Sequence, residues 1–516
     1  MTDLDWAVIG VYLAGMLGVG AYIGRKQQSR KDYYLGGQRM PAAALATSTI
    51  ATQCSTNSLL GAPAFVGFVA GGGMVWLQYE LAVPLAMLAL MFLFRPMRAG
   101  NFISIYAFLE ERLGSGARLI ASGSFQIFRG IATGVTVYGV ALVITLLVDV
   151  SYTQAVLILM GVTIAYDVLG GMRAVVVSDV AQVVLIVVAV ALSLGLLIAE
   201  LGVAALISER TEALDFSWGL TGGSEYGLWP MLIGGFFLYT AYYGCDQSQA
   251  QRVLAAKSTK ATERVLLLNG LLRFPLVLLY CLLGLALAAY ALQSDLIQQL
   301  PAAESGAPNF NLVFPVYVLE TFPAGLIGLV MVGIFAAAMS SIDSALNSLS
   351  AATIEDFVTT RRDFSERKLF LLSKLATLGW GLFAVVFSYQ VERIAPTVLE
   401  AINKIGSMAN GPLLALFTVA LMAPGIGQHR AVGAFFAGLL ANGALWLFAP
   451  GVSWLWWNVN GFMVSLLLSM LLARRGTFFR SDSLVVPPRT SAFMLIGMAG
   501  LIFVVCLAFS LLAGDR

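Results

Sequence analysis

The stretch Phe335–Ile354, FAAAMSSIDSALNSLSAATI, decides the fold class and points to the chemistry. It is apolar enough to lie in a bilayer, yet it carries hydroxyls, an amide and a carboxylate at helical spacing. Ser340, Ser344 and Ser348 recur every four residues, with Asp343, Asn347 and Ser350 as a stripe beside them. Residues three and four apart share one face of a helix, so these oxygens gather on one side. Ligands made only of oxygen suit a hard, weakly charged cation better than a transition metal. Polar groups at this depth are costly and mark an ion or solute path. The alternative is helix–helix contact, where Ser and Thr also concentrate. One such residue favours contact; six, one an aspartate, favour a site.

Working outward, the chain has 516 residues, 59% hydrophobic and only 11% charged, with a mean hydropathy of +0.85. Soluble domains carry roughly 25% charged residues, so this is an integral membrane protein. Apolar segments near 20 residues recur from end to end, as bilayer-crossing helices require. The expected fold is all-α, with about fourteen spans at 6–24, 43–70, 74–94, 119–147, 153–170, 174–198, 229–250, 264–293, 322–358, 368–389, 395–423, 431–449, 453–474 and 490–513. Acidic residues and no positive segment precede the first span, which is read as retained rather than as a cleaved signal. With the N-terminus outside, external segments hold only Arg210, Arg393 and Arg516 of the 30 basic residues. Arg129, Arg273, Lys374 and Lys404 fall inside spans, and all the others, Arg252 among them, fall in cytoplasmic loops. This bias places both termini outside.

Several chemistries are excluded. The single histidine, His429, lies in a polar turn, which argues against bis-histidine haem and histidine-clustered zinc. No GxxxxGK[ST] phosphate loop is present, so pumping would draw on an ion gradient or another subunit. Cys54, Cys245, Cys281 and Cys506 lack CxxC spacing and indicate neither disulfides nor a thiolate metal site. Asp167, Asp179, Asp246 and Asp343 are too scattered for the paired motifs of a membrane transferase.

Two spans read as broken. In 42–69 the run Thr52-Gln53-Cys54-Ser55-Thr56-Asn57-Ser58 interrupts an apolar helix, followed by Gly61 and Pro63. In 229–252 the interruption is Tyr239–Gln251, with Tyr242, Tyr243, Gly244, Asp246 and Gln247. Matching breaks in two halves are the best sequence pointer to a midplane transport site. The expected organisation is 1–41, an N-terminal span and cytoplasmic loop; 42–198, a first repeat; 199–228, an external loop; 229–423, an inverted second repeat; and 424–516, three further spans.

Four motifs then carry a resemblance. They are Tyr33-Tyr34-Leu35-Gly36-Gly37-Gln38-Arg39-Met40-Pro41; Tyr166-Asp167-Val168-Leu169-Gly170-Gly171-Met172-Arg173-Ala174, running on to Ser178-Asp179-Val180-Ala181-Gln182; Asp246-Gln247 through Gln251-Arg252-Val253-Leu254-Ala255-Ala256-Lys257-Ser258; and the serine helix. In this order and topology they resemble the sodium:solute symporter family, which includes sodium-coupled sugar, sialic acid, proline and monocarboxylate carriers. The resemblance covers about residues 33–356 and implies a leucine-transporter-type fold working by alternating access.

By position, it implies a principal sodium site of the Ala51, Cys54 and Ala337 carbonyls with the Ser340 and Ser341 hydroxyls. That agrees with the chemistry, since an unwound helix frees carbonyls opposite a row of alcohols. In some relatives a second site uses Asp179 with two serines. Here those positions are Asp343 and Ser344 beside Ser340, so one serine is a carboxylate. Asp343 could strengthen a second site, pair with a base or carry a proton; Asp179 could equally be a cap or an ion-pair partner.

The resemblance places the solute among Ser55, Thr56, Asn57, Ser58, Gln78, Glu80, Tyr239, Tyr242, Tyr243, Asn403 and Ser407. Tyr242 aligns with an inner-gate tyrosine of sugar carriers, and Glu80 resembles their sugar-hydroxyl acceptor. Arg129 lies one turn before the position, Ala132 here, where sialic acid carriers place a carboxylate-binding arginine. A guanidinium fork would favour a carboxylate solute, whereas a structural partner would occupy it. Proline is disfavoured, because the first break lacks the Ser-Asp-Met-Ser pattern of proline carriers.

The expected activity is sodium-coupled symport of a small polar organic solute, a carboxylate or acidic sugar being preferred. The alternatives are neutral sugar or polyol symport, a proton-coupled carrier, or a non-transporting membrane sensor. No enzymatic activity and no nucleic acid partner are expected, and no oligomer is implied. The expected location is the plasma membrane, as in a bacterial inner membrane.

Overall fold

The computed structural model describes residues 1–54, 56–100, 102–148, 150–220, 224–302, 306–391, 398–473 and 487–514. The main helices are α1 (Asp3–Gly24), α2 (Ala42–Gln53), α3 (Thr56–Phe68), α4 (Ala82–Ala99), α5 (Ser115–Val148), α6 (Tyr152–Leu201), α7 (Gly235–Cys245) and α8 (Gln247–Leu254). They continue with α9 (Thr259–Ala291), α10 (Leu326–Ala352), α11 (Glu366–Val391), α12 (Val398–Met422), α13 (Gln428–Phe448), α14 (Leu455–Leu472) and α15 (Arg489–Gly514). Among the described residues ten helices are long and apolar enough to cross a membrane. The expected spans 43–70 and 229–250 are instead short helix pairs, because each is interrupted where the polar runs lie.

The serine helix is α10, and its side chains are buried almost all round. A helix apolar on every side belongs at the centre of a bundle. It packs on α6, α1, α11, α5, α8 and α2. Its N-terminal end is capped by Asp5 of α1, whose Oδ1 accepts the Gly325 and Gly328 N–H groups at 2.7 and 2.8 Å. A carboxylate there meets the unpaired donors and positive end of the helix dipole. Its C-terminal end runs into a π-helical turn at Thr353–Val358.

The first break comes at Cys54, whose φ of −79° and ψ of 60° leave the helical line. Beyond it α3 lies tight on α9: a Cβ on Gly284 would stand 2.8 Å from the Pro63 carbonyl oxygen. Small residues permit such an approach between membrane helices. The second break is at Asp246, which is extended and caps α8 by accepting the Ser248 N–H at 2.8 Å. The family-like motifs anchor α8 from several sides. Gln247 bonds the backbone of Ile103 and Ile105, Gln251 bonds the Tyr34 carbonyl at 2.6 Å and Asn347 Oδ1 at 2.8 Å, and Gln38 bonds the Leu254 carbonyl at 3.0 Å.

The segments expected at 153–170 and 174–198 are the two helical halves of α6, parted at Gly171, where φ is 51° and ψ −159° and the backbone leaves the helical line. That conformation is essentially reserved for glycine. A Cβ there would also stand 2.6 Å from the Tyr33 ring and 2.7 Å from its carbonyl oxygen. Gly171→Ala is therefore expected to destabilise by about 1–3 kcal/mol from backbone strain alone, with the clash adding to it. Thermal unfolding of the purified protein checks this.

Candidate functional site

The end of α2 meets the middle of α10. Ser341 Oγ donates to the Thr52 carbonyl at 3.1 Å and lies 3.5 Å from the Ala337 carbonyl. Ala51, Cys54, Ala337 and Ser340 are each buried, the first two at the end of α2 and the others within α10. The last carbonyls of a helix lack acceptor duty within it, and the break at Cys54 leaves the Thr52 oxygen facing the Ser341 hydroxyl of α10. The Ser340 hydroxyl is fully buried and makes no well-formed hydrogen bond among the described residues. A dehydrated alcohol left this way suits a hard cation, for which carbonyl and hydroxyl oxygens are fitting ligands.

One turn further in, the residues of the expected second site are also together, but a protein cation stands among them. Arg252 was read from sequence as a loop residue; in the structure it is buried, 1% exposed. Its Nη2 reaches Asp179 Oδ2 at 3.1 Å and also bonds Ser344 Oγ, its Nε donates to Ser48 Oγ at 2.7 Å, and its Nη1 donates to the Ser248 carbonyl. Ser48 donates to Asp179 Oδ2 as well. Asp179 Oδ1 has no partner among the described residues. Asp343 makes no ion pair among them: Tyr166 donates its hydroxyl to Oδ2, and Oδ1 lies 3.1 Å from Ser344 Oγ. Ser344 also reaches the Ser340 carbonyl at 2.6 Å and Thr52 Oγ1 at 2.9 Å.

Around the two breaks lie two further arginine–carboxylate pairs. Arg273 of α9 bonds Glu80 at 2.8 Å and the hydroxyls of Tyr239 and Tyr243 at 2.7 and 3.2 Å, with its guanidinium 4.4 Å from the centre of the Tyr239 ring. Arg129 bonds Asp246, reaches Ser248 Oγ at 2.9 Å and stands over the Tyr242 ring at 5.4 Å. Gln249 bonds the Tyr242 hydroxyl at 3.0 Å. The other expected solute residues are more dispersed. Gln78 is taken up by the external loop, bonding the Tyr226 carbonyl at 2.7 Å and the Asp215 N–H at 3.2 Å. Thr56 donates to the Ile334 carbonyl at 3.4 Å, Ser58 to that of Gln53 at 3.3 Å, and Ser407 accepts from Asn458 of α14 at 3.2 Å. Ser55 lies outside the described residues, as do the side chains of Asn57 and Asn403.

Sequence reading missed the partners of Arg252 and Arg273. The available signal for Arg273 was its place inside a 33-residue apolar helix, since an intramembrane charge implies a partner. Arg252 closes the polar run after the second break, yet it borders the basic loop and was counted with it.

The comparisons agree with this geometry. The profile of the sodium:solute symporter family matches residues 33–441. The chain is 28% identical to the sodium/sialic acid symporter NanT of Aliivibrio fischeri over 486 residues, 91% of this chain and 93% of that one. It is also 28% identical to the human sodium-coupled monocarboxylate transporter 1 over 451 residues, 86% of this chain and 71% of that one. Among solved structures, a substrate-bound outward-open sodium-coupled sialic acid symporter superposes with a TM-score of 0.81 at 25% identity, covering 91% of this chain and 97% of that one. With a broken helix facing a serine-lined one and a family match over most of its length, this all-helical membrane protein belongs to the sodium:solute symporter family, whose members are transporters coupled to sodium and not enzymes.

Proposed function

We propose that this protein carries a small organic carboxylate or acidic sugar inward with sodium by alternating access. The sodium would bind the Ala51, Cys54 and Ala337 carbonyls with Ser340 and Ser341. The buried Ser340 hydroxyl, without a well-formed bond among the described residues, carries the reading. In the proposed topology about fourteen helices cross, with both termini outside. A five-plus-five inverted repeat, 42–198 and 229–423, would follow one span and precede three, in a membrane of the bacterial inner type. A second sodium would have to share Asp179, Ser340, Asp343 and Ser344 with the Arg252 guanidinium.

For the solute, Arg129 beside Tyr242 is paired with Asp246, so a solute carboxylate would have to share or displace that partner at the second break. Relatives named for sialic acid and for monocarboxylates have solutes of that chemistry. Glu80 favours a second reading, a neutral polyol, because its Oε2 is buried without a partner among the described residues and could accept a hydroxyl. One sodium crossing the full field draws about 2.3 kcal/mol per 100 mV, enough to concentrate a neutral solute about 50-fold. A monoanion moving with one sodium carries no net charge and gains nothing from the potential.

Uptake into proteoliposomes tests all of this, with sugars, sugar acids, amino acids and monocarboxylates offered under a sodium gradient or with choline instead. Saturable, sodium-dependent uptake of a carboxylate is expected. Uptake of neutral sugars alone would sink the solute assignment, and equal uptake in choline would sink the whole reading. Arg129→Lys is expected to raise the solute KM about tenfold with sodium activation unchanged, because an ammonium does not reproduce the guanidinium fork.

A further inference from the structure

The motif Gly170–Ala174 contains one residue that neither the bend of α6 nor the transport site uses. Arg173, just after the bend, is exposed and makes no hydrogen bond or ion pair among the described residues. It lines a cleft of about 540 Å³ between α1 and α6, together with Gly15, Gly18, Tyr22 and Val177.

The glycines of α1 divide into two sets. Gly20 and Gly24 are needed for packing: a Cβ would stand 2.8 Å from Tyr166 Cβ and 2.2 Å from the Leu169 carbonyl oxygen. Gly15 and Gly18 meet nothing within 4 Å. No protein group exploits their smallness, although glycine is a poor helix former. They hollow the membrane-facing side of α1 into a slot. From Gly15 to Tyr22 the slot runs about 10 Å along the helix, enough for the upper carbons of an acyl chain. At its mouth stand two cations, Arg173 and Lys26, the latter with its Nζ 5.3 Å from the Tyr22 ring centre. Tyrosine at this level is typical of the headgroup region.

We infer that the cleft between α1 and α6 is a binding site for one anionic phospholipid, whose phosphate engages Arg173 with Lys26 beside it and whose acyl chain lies over Gly15 and Gly18. Ordinary boundary lipid accounts for an apolar lining and loop charge bias for a basic residue at this level, but neither calls for a guanidinium without a protein partner set beside an open slot. A guanidinium binds phosphate oxygens through paired hydrogen bonds, and basic pockets between membrane helices select anionic headgroups. The charge and the slot together commit the site to a lipid rather than a free anion.

The test uses the full-length protein, delipidated in a neutral detergent, with phosphatidylglycerol, phosphatidylcholine or inorganic phosphate as probe. Thermal unfolding and lipid retention in native mass spectrometry are both read. Phosphatidylglycerol is expected to raise Tm and stay bound, while phosphatidylcholine and phosphate do neither. Arg173→Gln and Gly18→Leu are each expected to remove most of that shift. Gly500→Leu, at an equally open glycine on α15, should keep it. Equal effects of the two lipids, or of phosphate and phosphatidylglycerol, overturn the inference, as does an undiminished shift in both cleft variants. Since uptake is not read, either result leaves the transport reading standing.

Discussion

Arg252→Ala is expected to abolish sodium-driven uptake and to lower the unfolding temperature more than any other single change considered. The guanidinium joins four helices: α8 through its own backbone and Ser248, α6 through Asp179, α2 through Ser48 and α10 through Ser344. Removing it leaves Asp179 in a membrane interior with only hydroxyls beside it, Ser48 on Oδ2 and Ser340. Breaking one side of a buried pair typically costs about 3–5 kcal/mol, because the surviving charge is left uncompensated. A stranded charge has a second consequence that simple loss of packing would not have. Adding Asp179→Asn to Arg252→Ala removes the stranded charge, so the double variant should unfold at a higher temperature than the single one. Uptake should not return, because α8 then loses its tie to Ser48 of α2 and keeps only the Gln251–Asn347 bond to α10. Detergent-solubilised thermal unfolding gives the first reading and proteoliposome uptake the second. A double variant no more stable than the single one would mean that Asp179 is not the group at risk.

Ser340→Ala is expected to act in the opposite way, on the ion and not on the fold. The Ser340 hydroxyl makes no well-formed hydrogen bond among the described residues and gives up only its proximity to Asp179 when deleted, so the protein should insert and unfold nearly like the parent. As one of about five oxygens proposed to hold the cation, it should be missed only when sodium binds. A hydrogen-bond-like contact to a charged partner contributes about 1.5–3 kcal/mol. The half-saturating sodium concentration should therefore rise between about tenfold and about a hundredfold. Linkage adds a second readout: sodium must tighten solute binding by the same factor that solute tightens sodium binding, and both factors should fall together. Ser341→Ala differs, because it also removes the bond to the Thr52 carbonyl that fastens α2 to α10. An unaltered sodium dependence in Ser340→Ala would count decisively against the proposed cradle.

The oxygen stripe of α10 and the interruption after Thr52 were legible in the sequence because both are local. Helical spacing determines which side chains share a face, and a polar run inside an apolar one determines where a span gives way. The second break was legible for the same reason, and the structure narrows the run from Tyr239 to Gln251 to a single turn at Asp246. The parting of α6 into two halves was marked in the same way by Gly170-Gly171, where the backbone is non-helical.

What the sequence could not provide was the pairing of charges. Arg129 meets Asp246 from 117 positions away, Arg273 meets Glu80 from 193, and Arg252 meets Asp179 from 73. Periodicity tells which side of a helix is polar but not which helix lies opposite, and only packing brings those faces together. The same limit explains why Arg252 was counted with the basic loop beside it: charge bias registers position along the chain, whereas burial depends on neighbours from four helices. The sequence alone thus determined the membrane class, the family and the oxygen row. The tertiary structure decided that the inner end of that row faces a protein guanidinium. The physical reason is that a buried charge is stable only where distant segments converge to surround it.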